Sequence, residues 1–372
     1  MVNFFYKLKS LLNKYWWLTP LLFFLLWRIS IEIVARLANF YLTPPINPWP
    51  WEQQAPLLAR WDSGWYASIV DHSYWFKTDA MSNVTFFPLY PLLWKITKLV
   101  TNLRSLLAGV VIANAMALLF SLVFWRWLDQ KYSRLTANYS LITLLAFPTS
   151  FFMVSAYSES TLLLLSALTF WLVEQNHWFS SSVTAGLASA SRPVGIFLWP
   201  VLLTKQWLNK KLLNRRTLIP LLIPPLGLVA FSVYLYYLVG DPLAWLHGQT
   251  LAARHLVWPH KLLAGTIHNV LTQGDRWLVH LSELAALGLV LICLPKLWRL
   301  DKSYALLAVL TILPSLFSDT LGSLPRFILA ILPIFIVISQ LKNKWLWYLY
   351  LAISIPLLIL SVARFVNWQW VS

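Results

Sequence analysis

Charge and cysteine are both scarce in this chain. Of 372 residues only 11% are charged and 13 are acidic, and Cys293 is the single cysteine. Soluble domains carry about 25% charged residues, so this supply excludes an ordinary soluble globular protein. One cysteine excludes an intrachain disulfide and leaves no thiol pair for a metal. Cys293 lies inside an apolar run and reads as a small buried hydrophobe. No P-loop, Gly-rich phosphate loop or dinucleotide fingerprint occurs, which argues against a cytosolic nucleotide-sugar site. The first apolar run lacks a small-residue cleavage site and is long enough to span, so it reads as a signal anchor. There is no internal repeat, low-complexity tract or separate soluble segment, and residues 1–372 read as one transmembrane domain.

Apolar and aromatic residues fill the space. Hydrophobic residues make up 59% of the chain, with a mean hydropathy of +0.64. The 23 Trp, 15 Tyr and 21 Phe suit belts of amphipathic rings at headgroup level. The net charge of +16 would suit nucleic acid. The basic residues, however, lie mostly between apolar runs, as inner membrane anchors do, so the expected partners are membrane lipids and not nucleic acid.

Crossing about 30 Å of hydrocarbon takes about 20 helical residues. Runs near that length predict an all-α polytopic protein with spans near 18–40, 106–126, 137–155, 159–174, 180–192, 194–206, 218–239, 278–295, 303–318, 326–340 and 346–364. The two short ones flank Arg192-Pro193 and suggest a hairpin. With the N-terminus inside, inner segments hold sixteen Lys and Arg, and outer segments hold ten over more than twice the length. That asymmetry predicts a cytoplasmic N-terminus and two outward segments, 41–105 and 240–277. Within the first, Trp65–Tyr74 and Pro88–Val100 read as amphipathic helices lying in the interface.

Chemistry concentrates in that first segment. Arg60-Trp61-Asp62-Ser63-Gly64-Trp65-Tyr66, followed by Phe86-Phe87-Pro88-Leu89-Tyr90-Pro91, sets a carboxylate among aromatics. Taken alone, Asp62 suits two roles, a general base or the N-cap of the following helix. Further on come Tyr157-Ser158-Glu159-Ser160, Ala185-Gly186-Leu187 leading to Ser191-Arg192-Pro193, Gly240-Asp241-Pro242-Leu243-Ala244-Trp245, and Leu324-Pro325-Arg326-Phe327. In this order, over almost the whole chain, the five segments resemble the PIG-V mannosyltransferases of the GT-C class. One departure stands out: Asp71-His72-Ser73-Tyr74 has Ser where that family has Gly.

The resemblance implies a GT-C fold of about eleven transmembrane helices. It also implies inverting transfer of a hexose, mannose in the family, from a polyprenyl-phosphate sugar to a lipid or glycan acceptor on the non-cytoplasmic face. Asp62 would be the base and Arg326, with Arg192, would hold the donor phosphate. Trp61, Asp71, His72, Tyr157, Glu159 and Arg254 are further candidates for substrate binding. Both arginines also suit plain interfacial snorkelling. No acidic DxD pair occupies the first outer segment, and the five histidines at 247, 255, 260, 268 and 280 fit no ligand spacing, so no metal or other cofactor is expected. Arg28, Glu32 and Arg36 share one face of the first span and should point into the bundle. The rival reading is a transporter or lipid flippase that uses these charges and the Arg192-Pro193 hairpin.

Overall fold

The computed structural model describes residues 15–42, 55–77, 80–209, 215–251, 255–274 and 276–371. Arg254, and the inner-segment lysines Lys7, Lys9, Lys14, Lys210 and Lys211, lie outside the described residues. Among the described residues, fifteen helices of eight residues or more follow one another: α1 (Leu18–Tyr41), α2 (Ser63–His72), α3 (Leu89–Thr101), α4 (Ser105–Lys131) and α5 (Arg134–Leu145) come first. Then come α6 (Glu159–Glu174), α7 (Trp178–Ser191), α8 (Leu198–Leu208), α9 (Leu226–Val239) and α10 (Ala244–Leu251). The chain ends with α11 (Pro259–Thr272), α12 (Trp277–Leu300), α13 (Lys302–Leu316), α14 (Leu332–Ser339) and α15 (Lys344–Val366).

Among the described residues, five helical stretches are long and apolar enough to cross a membrane: Leu18–Tyr41, Ser105–Lys131, Arg215–Val239, Trp277–Leu300 and Lys344–Val366. Each coincides with an expected span. With the composition, they make the chain an integral membrane protein. The other six expected spans are shorter helices or broken ones, and proline accounts for three of the breaks. A proline has no N–H to give and clashes with the preceding turn. Segment 137–155 stops at Leu145 just before Pro148, and resumes as a 3₁₀ turn at Ser150–Met153. Segments 180–192 and 194–206 part at Pro193, which opens the 3₁₀ turn Pro193–Phe197. There Gly195 lies so close to α7 that a Cβ would meet the Ala188 carbonyl oxygen at 2.1 Å, so the turn folds back on the helix, as the hairpin expectation required. Segment 326–340 is a turn at Leu324–Phe327, a 3₁₀ turn, and the eight-residue α14.

Length and burial run in opposite directions. The five long helices keep only 22–39% of their most apolar stretch buried, so they form the outer wall. Every residue of α14 is buried, as is most of α6, which lies between α4 and α7. The short helix α6 and the broken segment that ends in α14 therefore lie at the centre of the bundle, while Arg215–Val239, itself interrupted by the 3₁₀ turn Ile219–Leu222, stays on the outer wall. Irregular backbone is tolerated at membrane depth only where protein covers it.

The expected amphipathic helices of the first outer segment are α2 and α3. Helix α3 buries Tyr90, Pro91 and Trp94 and exposes Leu92, Ile96, Leu99 and Val100. Trp94 seats on α4 at Gly109, where a Cβ would stand 2.4 Å from its ring, and donates Nε1–H to the Ser105 carbonyl at 2.6 Å. The charged face of α1 differs in part from expectation. Arg28 donates to Asn114 of α4 at 2.6 Å and pairs with Glu32, but Arg36, 74% exposed, points outward and pairs only with Glu32 along its own helix. It lies near the helix end, where a long side chain reaches the interface at little cost.

Candidate active site

Asp62 stands at the position before α2, yet its side chain caps nothing. Its Oδ2 instead accepts a hydrogen bond from Arg326 Nη1 at 3.1 Å, across 264 residues of chain. The capping role is thereby set aside. The backbone just before Asp62 is unusual. Trp61 has φ 53°, a left-handed conformation that costs a bulky residue on the order of 1–3 kcal/mol. Tyr157 holds it there: the phenol donates to the Arg60 carbonyl at 3.2 Å and accepts from the Asp62 N–H at 3.1 Å. One hydroxyl thus straddles the strained residue and fixes where Asp62 points. A backbone bond from Ala156 N–H to Leu58 O at 2.9 Å ties the same two loops together.

Glu159 opens α6 and is only 4% exposed. Its Oε1 forms an ion pair with Arg192 Nη1 and lies 3.1 Å from Arg326 Nε, off the line of a hydrogen bond. Arg192 also donates to Ser158 Oγ at 3.4 Å, and Ser158 Oγ lies 2.7 Å from the Tyr66 hydroxyl. The Arg326 guanidinium rests over the rings of Phe152 and Tyr157, 5.3 and 5.5 Å from their centroids. Cations favour such ring faces, more so away from water. Two carboxylates and two guanidiniums from four separate elements thus form one balanced cluster. Asp319, close to Arg326 in sequence, is not a partner: its N–H pairs with the His255 carbonyl.

Burial pushes the Tyr66 phenol up to about 12, with Arg192 opposing and Glu159 adding to the shift. Burial also holds the Tyr157 phenol well above its ordinary value, helped by the negative charge of Asp62. Both phenols are therefore neutral donors at physiological pH, and neither is a base.

A narrow cleft reaches this cluster, lined by Trp61, Asp62, Phe152, Tyr157, Arg326, Phe365, Trp370 and Val371. Its free volume of about 10 Å³ holds about one water. Of the four charged side chains Asp62 is the most accessible, 28% exposed against 4–13% for the rest. A group entering the cleft meets a carboxylate that can take a proton and a guanidinium that can bind an anion.

Of the candidates, Trp61, Asp62, Tyr157, Glu159, Arg192 and Arg326 converge here. Asp71 and His72 do not. They sit at the exposed far end of α2, where Asp71 binds Lys98 at 2.7 Å, because ten helical residues carry the chain about 15 Å from Asp62. Arg254 lies outside the described residues. Tyr66, Ser158 and Phe152, and the Trp370–Val371 wall, join the site without having been singled out. Trp61 meets Trp368 and Trp370 with ring centroids 5.7 and 5.6 Å apart, and the Trp368-Gln369-Trp370 pattern was the available signal. Among the described residues no three His, Cys, Asp or Glu side chains converge as a metal site. His247 pairs with Asp241 at 2.6 Å and His280 with Glu283 at 3.1 Å.

A second charged cluster occupies the other end of α6, about 22 Å away. There Glu174 pairs with Lys131, accepts from Tyr304 at 3.0 Å and from Trp127 Nε1 at 2.7 Å, and Lys205 donates to Asp301 at 2.5 Å. Lys131 and Lys205, counted above as inner anchors, are bound members of this network.

No family model matches the chain, and no match was found among curated proteins. Among solved structures, the chain is similar to the crystal structure of ArnT from Cupriavidus metallidurans bound to undecaprenyl phosphate. The likeness has a TM-score of 0.49 at 14% identity and covers 88% of this chain and 61% of that one. The chain thus spans about three-fifths of that protein's length.

Proposed function

We propose that this protein is a GT-C-type membrane glycosyltransferase that moves a hexose, mannose by its PIG-V-like segments, from a polyprenyl phosphate to an acceptor hydroxyl. The chain threads the membrane eleven times in this reading, the short inner segments included, with its N-terminus cytoplasmic and Asp62 on the non-cytoplasmic side. The observation that carries it is the contact between Asp62 and Arg326 in a cleft, which sets a proton acceptor beside a phosphate binder.

The acceptor oxygen attacks the anomeric carbon from the Asp62 side, and its proton passes to the Asp62 carboxylate as the bond forms. The bond from that carbon to the phosphate oxygen breaks, and the electron pair leaves on polyprenyl phosphate. Arg326 and Arg192 neutralise it through paired N–H donors. A single displacement of this kind inverts the anomeric centre. The leaving group is already anionic, so no second carboxyl acid is needed, unlike glycosidases. The guanidiniums supply the positive charge, and the reaction is proposed to run without a metal. Because the cleft now holds about one water, the Trp370–Val371 wall must yield to admit a sugar.

Asp62→Asn tests the assignment. Asn is nearly isosteric and still accepts from Arg326, but a neutral amide takes no proton. The purified variant should stay folded, bind a polyprenyl-phosphate hexose, and transfer about 10²–10⁴-fold more slowly. Transfer within a few-fold of wild type would remove Asp62 as the base. Lipid flux across proteoliposomes with no glycosyl product from either protein would favour the transporter.

A further inference from the structure

Glu159 is the one member of the outer cluster that both arginines share. The two guanidiniums reach it from different elements, Arg192 from the end of α7 and Arg326 from the Leu324–Phe327 turn. Both contact the same oxygen, Oε1, so they stand no more than about two hydrogen-bond lengths apart. Like charges that close repel strongly unless an anion lies between them. Both Glu159 oxygens are nonetheless buried without an in-line hydrogen bond, which is rare for a carboxylate inside a protein. Glu159 is held by two ionic contacts on the one oxygen.

We infer that Glu159 is a positioning residue: it gathers Arg192 and Arg326 into a pair that fits one phosphate, and its negative charge limits how tightly that pair grips the departing polyprenyl phosphate. The inference rests on the donor reading above. At rest, Asp62 and Glu159 together balance the two guanidiniums. An arriving phosphate must compete with both carboxylates, so it binds weakly enough to leave after the sugar has gone. Competition at Arg326 has a second effect. As Arg326 turns to phosphate it releases Asp62, so the base is freed once a donor is in place.

The charge argument gives a sign that a merely structural role does not. Glu159→Gln keeps size and shape but leaves the arginine pair one charge more positive. Binding of undecaprenyl phosphate to the purified protein in nanodiscs should tighten about tenfold or more. Donor KM and kcat should fall together, because product release becomes slow. Were Glu159 only a scaffold, the arginines would drift and binding would weaken. Glu159→Asp retains the charge and should bind within about threefold of wild type while turnover drops. That variant also decides the matter if Glu159→Gln does not fold, since a tenfold tightening in it would make geometry the cause. Asp71→Asn removes an equal charge from the exposed end of α2 and should leave affinity unchanged. Unchanged or weaker binding in Glu159→Gln, with wild type binding normally, overturns this inference alone. Failure of wild type to bind undecaprenyl phosphate would instead overturn the donor reading.

Discussion

The two ends of α6 carry similar groups and treat them differently. At Glu174 all carboxylate oxygens of the cluster are bonded: Tyr304 and Lys131 serve Oε1, Trp127 serves Oε2, and Ser303 and Lys205 take the two oxygens of Asp301. At Glu159 the carboxylate is buried without a directed bond, and Asp62 is bound by Arg326 at one oxygen. A closed network ties four elements together and offers nothing to a ligand. An incompletely bonded one, opening on a cleft, leaves bonding capacity for the donor phosphate proposed above. Burial alone would not tell them apart; the completeness of the hydrogen bonding does.

The sharpest way to break this comparison is to disturb the closed end. Glu174→Ala leaves Lys131 and Lys205 at one end of the bundle with a single remaining carboxylate, Asp301. Breaking a buried pair by removing one partner costs about 3–5 kcal/mol, and a quarter-exposed Lys131 places this case toward the lower figure. A thermal scan in detergent should show a clear fall in Tm, while transfer per folded molecule at low temperature stays near wild type. A large loss of activity with unchanged Tm would mean that the Glu174 cluster also serves the reaction.

At the open end the expectation for transfer reverses. Arg326→Ala also removes a buried partner of Glu159, so Tm should fall here too, but the distinguishing effect is about 2–4 kcal/mol of transition-state stabilisation, a hundredfold or more in transfer rate per folded molecule. Arg326→Lys should recover only part of it, since a point charge cannot reproduce the planar fork. Rates near wild type in Arg326→Ala would reduce the residue to an anchor for Asp62 and Glu159.

How far the sequence foretold this contrast differs from residue to residue. The five outer helices were plain, because apolar runs of more than twenty residues with few charges have few alternatives in a bilayer. The two short segments around Arg192-Pro193 were read as a hairpin, whereas 137–155 and 326–340 were read as unbroken spans, since hydropathy does not register where buried backbone turns into 3₁₀ turns. Asp62, Glu159, Arg192 and Arg326 were each marked as candidates. That Glu159 stands between the two arginines depends on tertiary contacts over more than 30 and 160 residues, which no spacing encodes. Asp71 was marked through the Asp71-His72-Ser73-Tyr74 resemblance, and the length of α2 carries it away from Asp62. The Glu174 network escaped notice because Lys131 and Lys205 were read only as topogenic charge, and charge counting ignores acids such as Glu174 and Asp301.

The smallest effect is expected at the wall of the open end, and its sign matters more than its size. Trp370 meets Trp61 edge-on at 5.6 Å and lines the cleft beside Asp62, yet it is 41% exposed and follows the last helix. Two roles are compatible with that position. A gate would hinder donor access, so removing the indole in Trp370→Ala should lower the donor KM by a few-fold with kcat little changed. A brace for the strained Trp61 would instead let Asp62 drift, lowering kcat and leaving KM alone. The cleft favours the gate: Tyr157 already holds Trp61 through two hydrogen bonds, whereas nothing else on the described surface of the cleft is so exposed. Steady-state kinetics with a polyprenyl-phosphate hexose separates the two. A fall in kcat at constant KM would make the open end, like the closed one, a structure that works only when fully assembled.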